Sequence, residues 1–163
     1  MQDSNILKGL PQVQKVWQSY IQTISFNSTI ASNLQIISAS EDGEVICQLK
    51  VEDIHLNPHK SMHGGFISSL VDIGGSLAIA AKGMFATGVS TDISATFLGK
   101  SAVGDIITMR SRCDKLGKSM AYTTTELLKI DSKTQAEEII AHGRHTKFVL
   151  LAHEINSKLK SNL

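Results

Sequence analysis

Gly64-Gly65-Phe66-Ile67-Ser68-Ser69-Leu70-Val71-Asp72-Ile73-Gly74-Gly75-Ser76-Leu77-Ala78-Ile79-Ala80-Ala81 is the stretch on which the fold turns. It is apolar or small on nearly every side and carries a single acid, Asp72. A helix that is hydrophobic all round is either buried in a core or spans a membrane. The pair Gly74-Gly75, the serines at 68, 69 and 76, and above all Asp72 argue against a span. The stretch therefore predicts a long helix buried at the centre of the fold.

Downstream the periodicity changes from helical to alternating. Four strand-like segments follow, near Gly88–Leu98, Asp105–Cys113, Ala121–Ile130 and Glu138–Phe148, separated by turns at Gly99, Gly104, Gly117 and Asp131-Ser132-Lys133. In the second of them Ile107, Met109 and Cys113 share one face while Arg110 and Arg112 take the other. Upstream, Asp53 to Met62 holds Pro58 and three spaced histidines and reads as a loop. Before it, Leu34–Ser40 and Glu44–Val51 form a predicted hairpin, with Gly43 supplying the turn. An amphipathic helix over Leu10–Ile24 precedes both. Helix, two strands, long apolar helix, four strands is an α+β order, with a largely antiparallel sheet wrapped around a central helix.

The chain has 163 residues, enough for one domain with a substantial core. The division expected is an N-terminal helical segment over 1–28, a sheet-and-helix domain over 29–149 and a tail over 150–163. Sixteen Lys and Arg against fifteen Asp and Glu leave a formal charge of +1, without the basic excess of a nucleic-acid binder. Cys47 and Cys113 stand far apart in no metal or redox spacing and read as small buried hydrophobes. The first residues lack a basic stretch followed by an apolar one, so a cytoplasmic protein is expected, with mitochondrial import left open by the amphipathic stretch.

The chemistry concentrates between Asn57 and Asp72. His63-Gly64-Gly65 opens the central helix, where backbone N–H groups are unpaired and point out along the positive end of the dipole. Glycine at 64 and 65 lets a ligand reach that backbone, which suits an anion or a developing oxyanion. Asp72 lies a little over two turns further on, and an acid in an apolar helix is costly unless paired. It is either a general base or nucleophile, or a buried acid capping a neighbouring loop. His63 is either an N-terminal cap or part of a site. His55, His59 and His63 recur every four residues, but Asn57 and Pro58 break any helix there, so no metal is expected. Ser90 alone reads as an ordinary strand hydroxyl.

Asn57, His63-Gly64-Gly65, Asp72, Gly88-Val89-Ser90-Thr91-Asp92, Gly117-Lys118-Ser119-Met120-Ala121 and Gly143-Arg144-His145-Thr146-Lys147, in this order, resemble the hotdog-fold thioesterase superfamily, and within it the acyl-coenzyme A thioesterase 13 group. The resemblance covers about Val45 to Phe148. It implies a hotdog fold, a homodimer or a homotetramer built as a dimer of dimers, and active sites at the subunit interface. It further implies that Asn57 and the Gly64 N–H hold the thioester carbonyl with His63 close by. Asp72 of the other subunit activates water or attacks directly, and Ser90 positions that water. The substrate implied is a medium- to long-chain acyl-coenzyme A, with no cofactor. Its phosphates require a basic side, for which Gly117, Lys118, Ser119, Arg144, His145 and Lys147 are the candidates. Phe66, Leu70, Ile73 and Leu77 are the candidate linings of an acyl tunnel. A hotdog module that binds acyl-coenzyme A without turning it over is the alternative from another class, and the presence of Asp72 speaks for the enzyme. A dehydratase or hydratase of the same fold matches the arrangement poorly.

Overall fold

Helix α3 spans Gly64–Ala81, the bounds expected from its apolar run. The structure is a computed structural model and describes residues 7–130 and 134–161. In chain order the elements are α1 (Gly9–Ile21), α2 (Phe26–Ile30), β1 (Gln35–Ala39), β2 (Glu44–Lys50), a single 3-10 turn (Asp53–His55), α3, β3 (Val89–Phe97), β4 (Ile106–Leu116), β5 (Met120–Ile130), β6 (Glu137–Phe148) and α4 (Leu150–Ser161). The strands form one six-stranded sheet in the order β1-β2-β4-β5-β6-β3. Every pairing is antiparallel.

Strand alternation builds the core. Val45, Cys47, Leu49 and Val51 from one hairpin arm and Ile107, Met109 and Cys113 from β4 all turn inward and are buried. Arg110 and Arg112 lie exposed on the other face. On length and composition α3 could cross a membrane, but most of it is buried against the sheet and α1. It can lie this close because of Gly74 and Gly75. A Cβ at 74 would stand 2.2 Å from Ser111 Oγ, and one at 75 would stand 2.5 Å from Thr123 Oγ1 and 2.8 Å from His145 Nδ1. The two glycines cost the helix about 1 kcal/mol each against alanine, and the contact they permit offsets that.

Two departures from the sequence reading have identifiable causes. The first helix ends at Ile21, because Ser25 caps a second short helix instead, exchanging side-chain and backbone hydrogen bonds with Ser28. Ile24, expected on the apolar face, is 99% exposed. The stretch expected as a tail over 150–163 forms the docked helix α4. Asn156 of α4 is buried, accepts from Phe85 N at 2.6 Å and donates to Ala86 O at 2.9 Å, so it satisfies the loop that leaves α3. The turn expected at 131–133 lies outside the described residues.

Candidate active site

The loop before α3 presents two groups in prepared states. Asn57 Oδ1 accepts from His59 N at 2.9 Å and from Ser61 N at 3.2 Å, which closes a tight turn. With that oxygen engaged, the amide nitrogen Nδ2 is the end left to donate. His63 is the N-cap of α3, and its Nδ1 accepts from Gly65 N at 2.8 Å. Nδ1 therefore carries no proton, and a neutral ring presents an N–H at Nε2. Gly64 is the first residue of the helix, and its N–H has no intrahelical partner. The ring of Phe97, at the end of β3, lies 3.4 Å from where a Gly64 Cβ would stand, so the glycine leaves a slot beneath that ring.

Two turns further along α3 a second cluster forms around Asp72. Its side chain is 41% exposed, which corrects the expectation of a buried acid: α3 turns this residue toward the open edge of the sheet at β3. Ser90 on β3 donates to Asp72 Oδ1 at 3.2 Å. His145 on β6 is only 1% exposed, with Nε2 at 2.9 Å from Ser90 Oγ and 3.4 Å from Asp72 Oδ1. Its Nδ1 lies against Gly75 with no hydrogen-bond partner. A bare nitrogen lone pair facing the carboxylate would be repelled, so Nε2 carries the proton. The chain of donors then runs from Nε2–H to the Ser90 oxygen and from the Ser90 hydroxyl to Asp72. Burial, and next the charge of Lys147, push the imidazole down to about 4, with Asp72 and Asp92 pulling weakly the other way. The ring is neutral at ordinary pH.

The basic candidates separate. Arg144 is exposed on the outer face, in a groove with Arg112, Thr124 and His142. His145 and Lys147 point inward and are buried, which corrects the expectation that they belong to a phosphate-binding surface. The reason is the two-residue period of a strand, which sends 144 to the face opposite 145 and 147 apart from the backbone itself. Gly117, Lys118 and Ser119 form the β4–β5 turn. Gly117 O and Ser119 O are taken by His153 Nε2 and Val149 N, while Lys118 is exposed beside α4. Phe66, Leu70, Ile73 and Leu77 are all packed in the core of this chain.

Two other groups of reactive type are structural. His55 is buried with both ring nitrogens engaged, Nδ1 accepting from Glu52 N and Nε2 donating to Ile30 O. It does not converge with His59 and His63, and among the described residues no such cluster could hold a metal. The Cys47 thiol is pushed up to about 12 by burial, which makes it inert. The signal that would have found the partnership of His145 with Asp72 is the inward series Gly143, His145, Lys147 on one strand face.

Residues 59–136 match the family model of the thioesterase superfamily. Human acyl-coenzyme A thioesterase 13 is 33% identical over 118 residues, covering 72% of this chain and 81% of its own. A protein of Schizosaccharomyces pombe that bears the general name of esterase is 43% identical over 148 residues, covering 90% of this chain and 88% of its own. The crystal structure of zebrafish thioesterase superfamily member 2 superposes with a TM-score of 0.76 at 30% identity, covering 87% of this chain and 98% of that one. The chain belongs to the thioesterase superfamily. Within that superfamily it is a member of the acyl-coenzyme A thioesterase family, a family of thioester hydrolases, and its antiparallel sheet around α3 is the hotdog fold.

Proposed function

We propose that this protein hydrolyses medium- to long-chain acyl-coenzyme A thioesters as a homodimer, each site combining the α3 N-terminus of one chain with Asp72 of the other. One observation carries the reading: Gly64 and Asp72 are eight residues apart on a single helix. That spacing is about 12 Å of helix rise, too far for both to reach one thioester group. A second copy resolves the distance. The edge it would use is β3, whose outward row is unpaired and whose Val89, Ile93 and Phe97, with Leu98 just beyond, are exposed. An apolar, unpaired edge strand of this length favours pairing with another strand.

In the assembled site the carbonyl oxygen accepts from the Gly64 N–H and from Asn57 Nδ2. Both donors are fixed before substrate arrives, and the helix dipole adds to them. Asp72 takes a proton from water, whose oxygen attacks the carbonyl carbon. Ser90, held by His145, keeps the carboxylate aimed. The tetrahedral oxyanion collapses and expels coenzyme A as a thiolate, a leaving group with a thiol pKa of about 8.5 that needs little protonation. His63, the N-cap residue just before Gly64, stands close to the same donors. The family resemblance supports an acyl chain of medium to long length, and Phe66, Leu70, Ile73 and Leu77 are packed in the core of each chain. Lys118 and Arg144 remain the exposed cations for the nucleotide phosphates. The names of the relatives support coenzyme A as the carrier, and the family resemblance supports a further pairing of dimers into a tetramer.

The test is release of free thiol from a panel running from acetyl- to palmitoyl-coenzyme A, with wild type and Asp72→Ala compared. A loss of at least about a hundredfold in kcat/KM, or ~2.7 kcal/mol, is expected in the variant. Tight acyl-coenzyme A binding with no turnover on any member of the panel would replace the enzyme by a binding module. Sedimentation of the same protein reads the dimer or tetramer directly.

A further inference from the structure

Beside the Asp72 cluster lies a second polar rung that the reaction scheme does not use. Asp72 and Ser76 are one turn apart on the same stripe of α3, and His145 and Lys147 are neighbours on the inward face of β6. The two elements therefore meet twice. His145 meets Ser90 and Asp72 at the first rung, and at the second Lys147 Nζ donates to Ser76 Oγ at 2.7 Å. Lys147 and Ser76 are each 4% exposed. Tyr20 of α1 closes the far side, with its hydroxyl 3.0 Å from Thr87 Oγ1 and within reach of Ser76. No carboxylate lies within ion-pair distance of Lys147 among the described residues.

A buried ammonium held by hydroxyls alone is a poor structural choice. Desolvation of the charge is only partly offset, and an apolar side chain of similar length would pack there at lower cost. Burial accordingly lowers the Lys147 ammonium from its ordinary range, with Asp72 acting weakly in the opposite direction. We propose that Lys147 is a positioning residue: its charge, anchored by Ser76, adds to burial in keeping His145 neutral, so that the imidazole N–H holds the Ser90 hydroxyl on Asp72. The proposal rests on Asp72 being the base. A protonated His145 3.4 Å from Asp72 would form an ion pair with it and blunt that base. The Lys147 cation, tied one turn away, prevents this without taking the carboxylate for itself. The charged and titratable groups facing the ring are Asp72 from α3, Lys147 from β6 and Asp92 from β3, with Tyr20 of α1 beyond Ser76.

The experiment compares wild type, K147M and K147R by NMR titration of the His145 ring and by the pH profile of kcat/KM on the best substrate of the panel. In wild type the ring titrates near pH 4. In K147M its midpoint moves up but stays below the ordinary value of about 6.5, because the ring remains buried, and the activity lost between pH 8 and pH 5.5 grows at least about fivefold over wild type. K147R keeps the charge and restores both readouts. Should K147M fail to fold, K147Q removes the charge while keeping a polar head, and it carries the same two measurements. A folded neutral variant in which neither the His145 midpoint nor the pH profile moves overturns the proposal. D72A, assayed in parallel, separates the two possible failures. If it is inactive while K147M behaves as wild type, only the role of Lys147 falls. If it is active, the base reading falls, and the positioning role falls with it.

Discussion

The molecule buries two histidines, one in the loop before α3 and one on β6, and they differ in what surrounds them. His55 is 2% exposed, and both of its nitrogens have backbone partners, at 2.9 Å and 2.8 Å. Its ring stacks flat on Phe66 at 4.1 Å between centroids. His145 is 1% exposed, but one nitrogen has no partner and the other faces a hydroxyl and a carboxylate beside the open sheet edge. Burial alone does not separate structure from function. A structural polar group is complete, whereas a site residue carries an unfinished set of bonds whose cost is met by the rest of the fold.

His55→Ala breaks the complete one and has the largest expected effect on stability. It leaves Ile30 O and Glu52 N without their partners and removes the stack on Phe66, a loss of about 2–4 kcal/mol. Chemical denaturation reads it, and turnover per folded molecule should change little. Acid sharpens the comparison next. The folded His145 is held near 4 against an ordinary 6.5, so the unfolded chain binds a proton first as pH falls. The associated stability is therefore present above about pH 6.5 and is lost between there and pH 4, to the extent of about 3 kcal/mol. H145Q should flatten that acid slope in a pH series of denaturation midpoints, while H55Q should leave it intact.

Gly75→Ala tests the contact that seats His145. Its Cβ would stand 2.5 Å from Thr123 Oγ1 and 2.8 Å from His145 Nδ1, so the ring must give way. The net cost, after the better helix propensity of alanine, is about 1–2 kcal/mol in stability, and kcat should fall with little change in KM. The smallest effect expected is that of H145Q on turnover at pH 8. Ser90 then loses its anchor but not its bond to Asp72, and a loss of about tenfold in kcat, ~1.4 kcal/mol, is expected in single-turnover assays.

Much of the fold could be read directly from residues. The bounds of α3 follow from a run that is apolar or small apart from Asp72, and the strands follow from alternation with glycine at the turns. The oxyanion candidates were also legible, because a glycine pair after a capping histidine is a local pattern. Other features left no periodic signal or depended on distant partners. Ser25 and Ser28 close a helix too short to leave a periodic signature. Asn156 docks the tail only because the loop at 85–86 comes to meet it. Arg144, His145 and Lys147 read as one basic run until the strand sent them to two faces.

From the sequence alone came the α+β class, the central helix, the location of Gly64 and Asp72 on it, and the residue types that thioester hydrolysis requires. These are set by short-range periodicity and backbone chemistry, which a chain carries wherever it is placed. The tertiary structure alone decided that Asp72 is half exposed rather than buried, that His145 and not a surface loop lies behind Ser90, and that Lys147 sits sealed under Ser76. Each of those depends on how closely α3 lies on the sheet. That distance is set by Gly74, Gly75 and Gly143 acting together from opposite sides of the contact, which no local stretch of the chain contains.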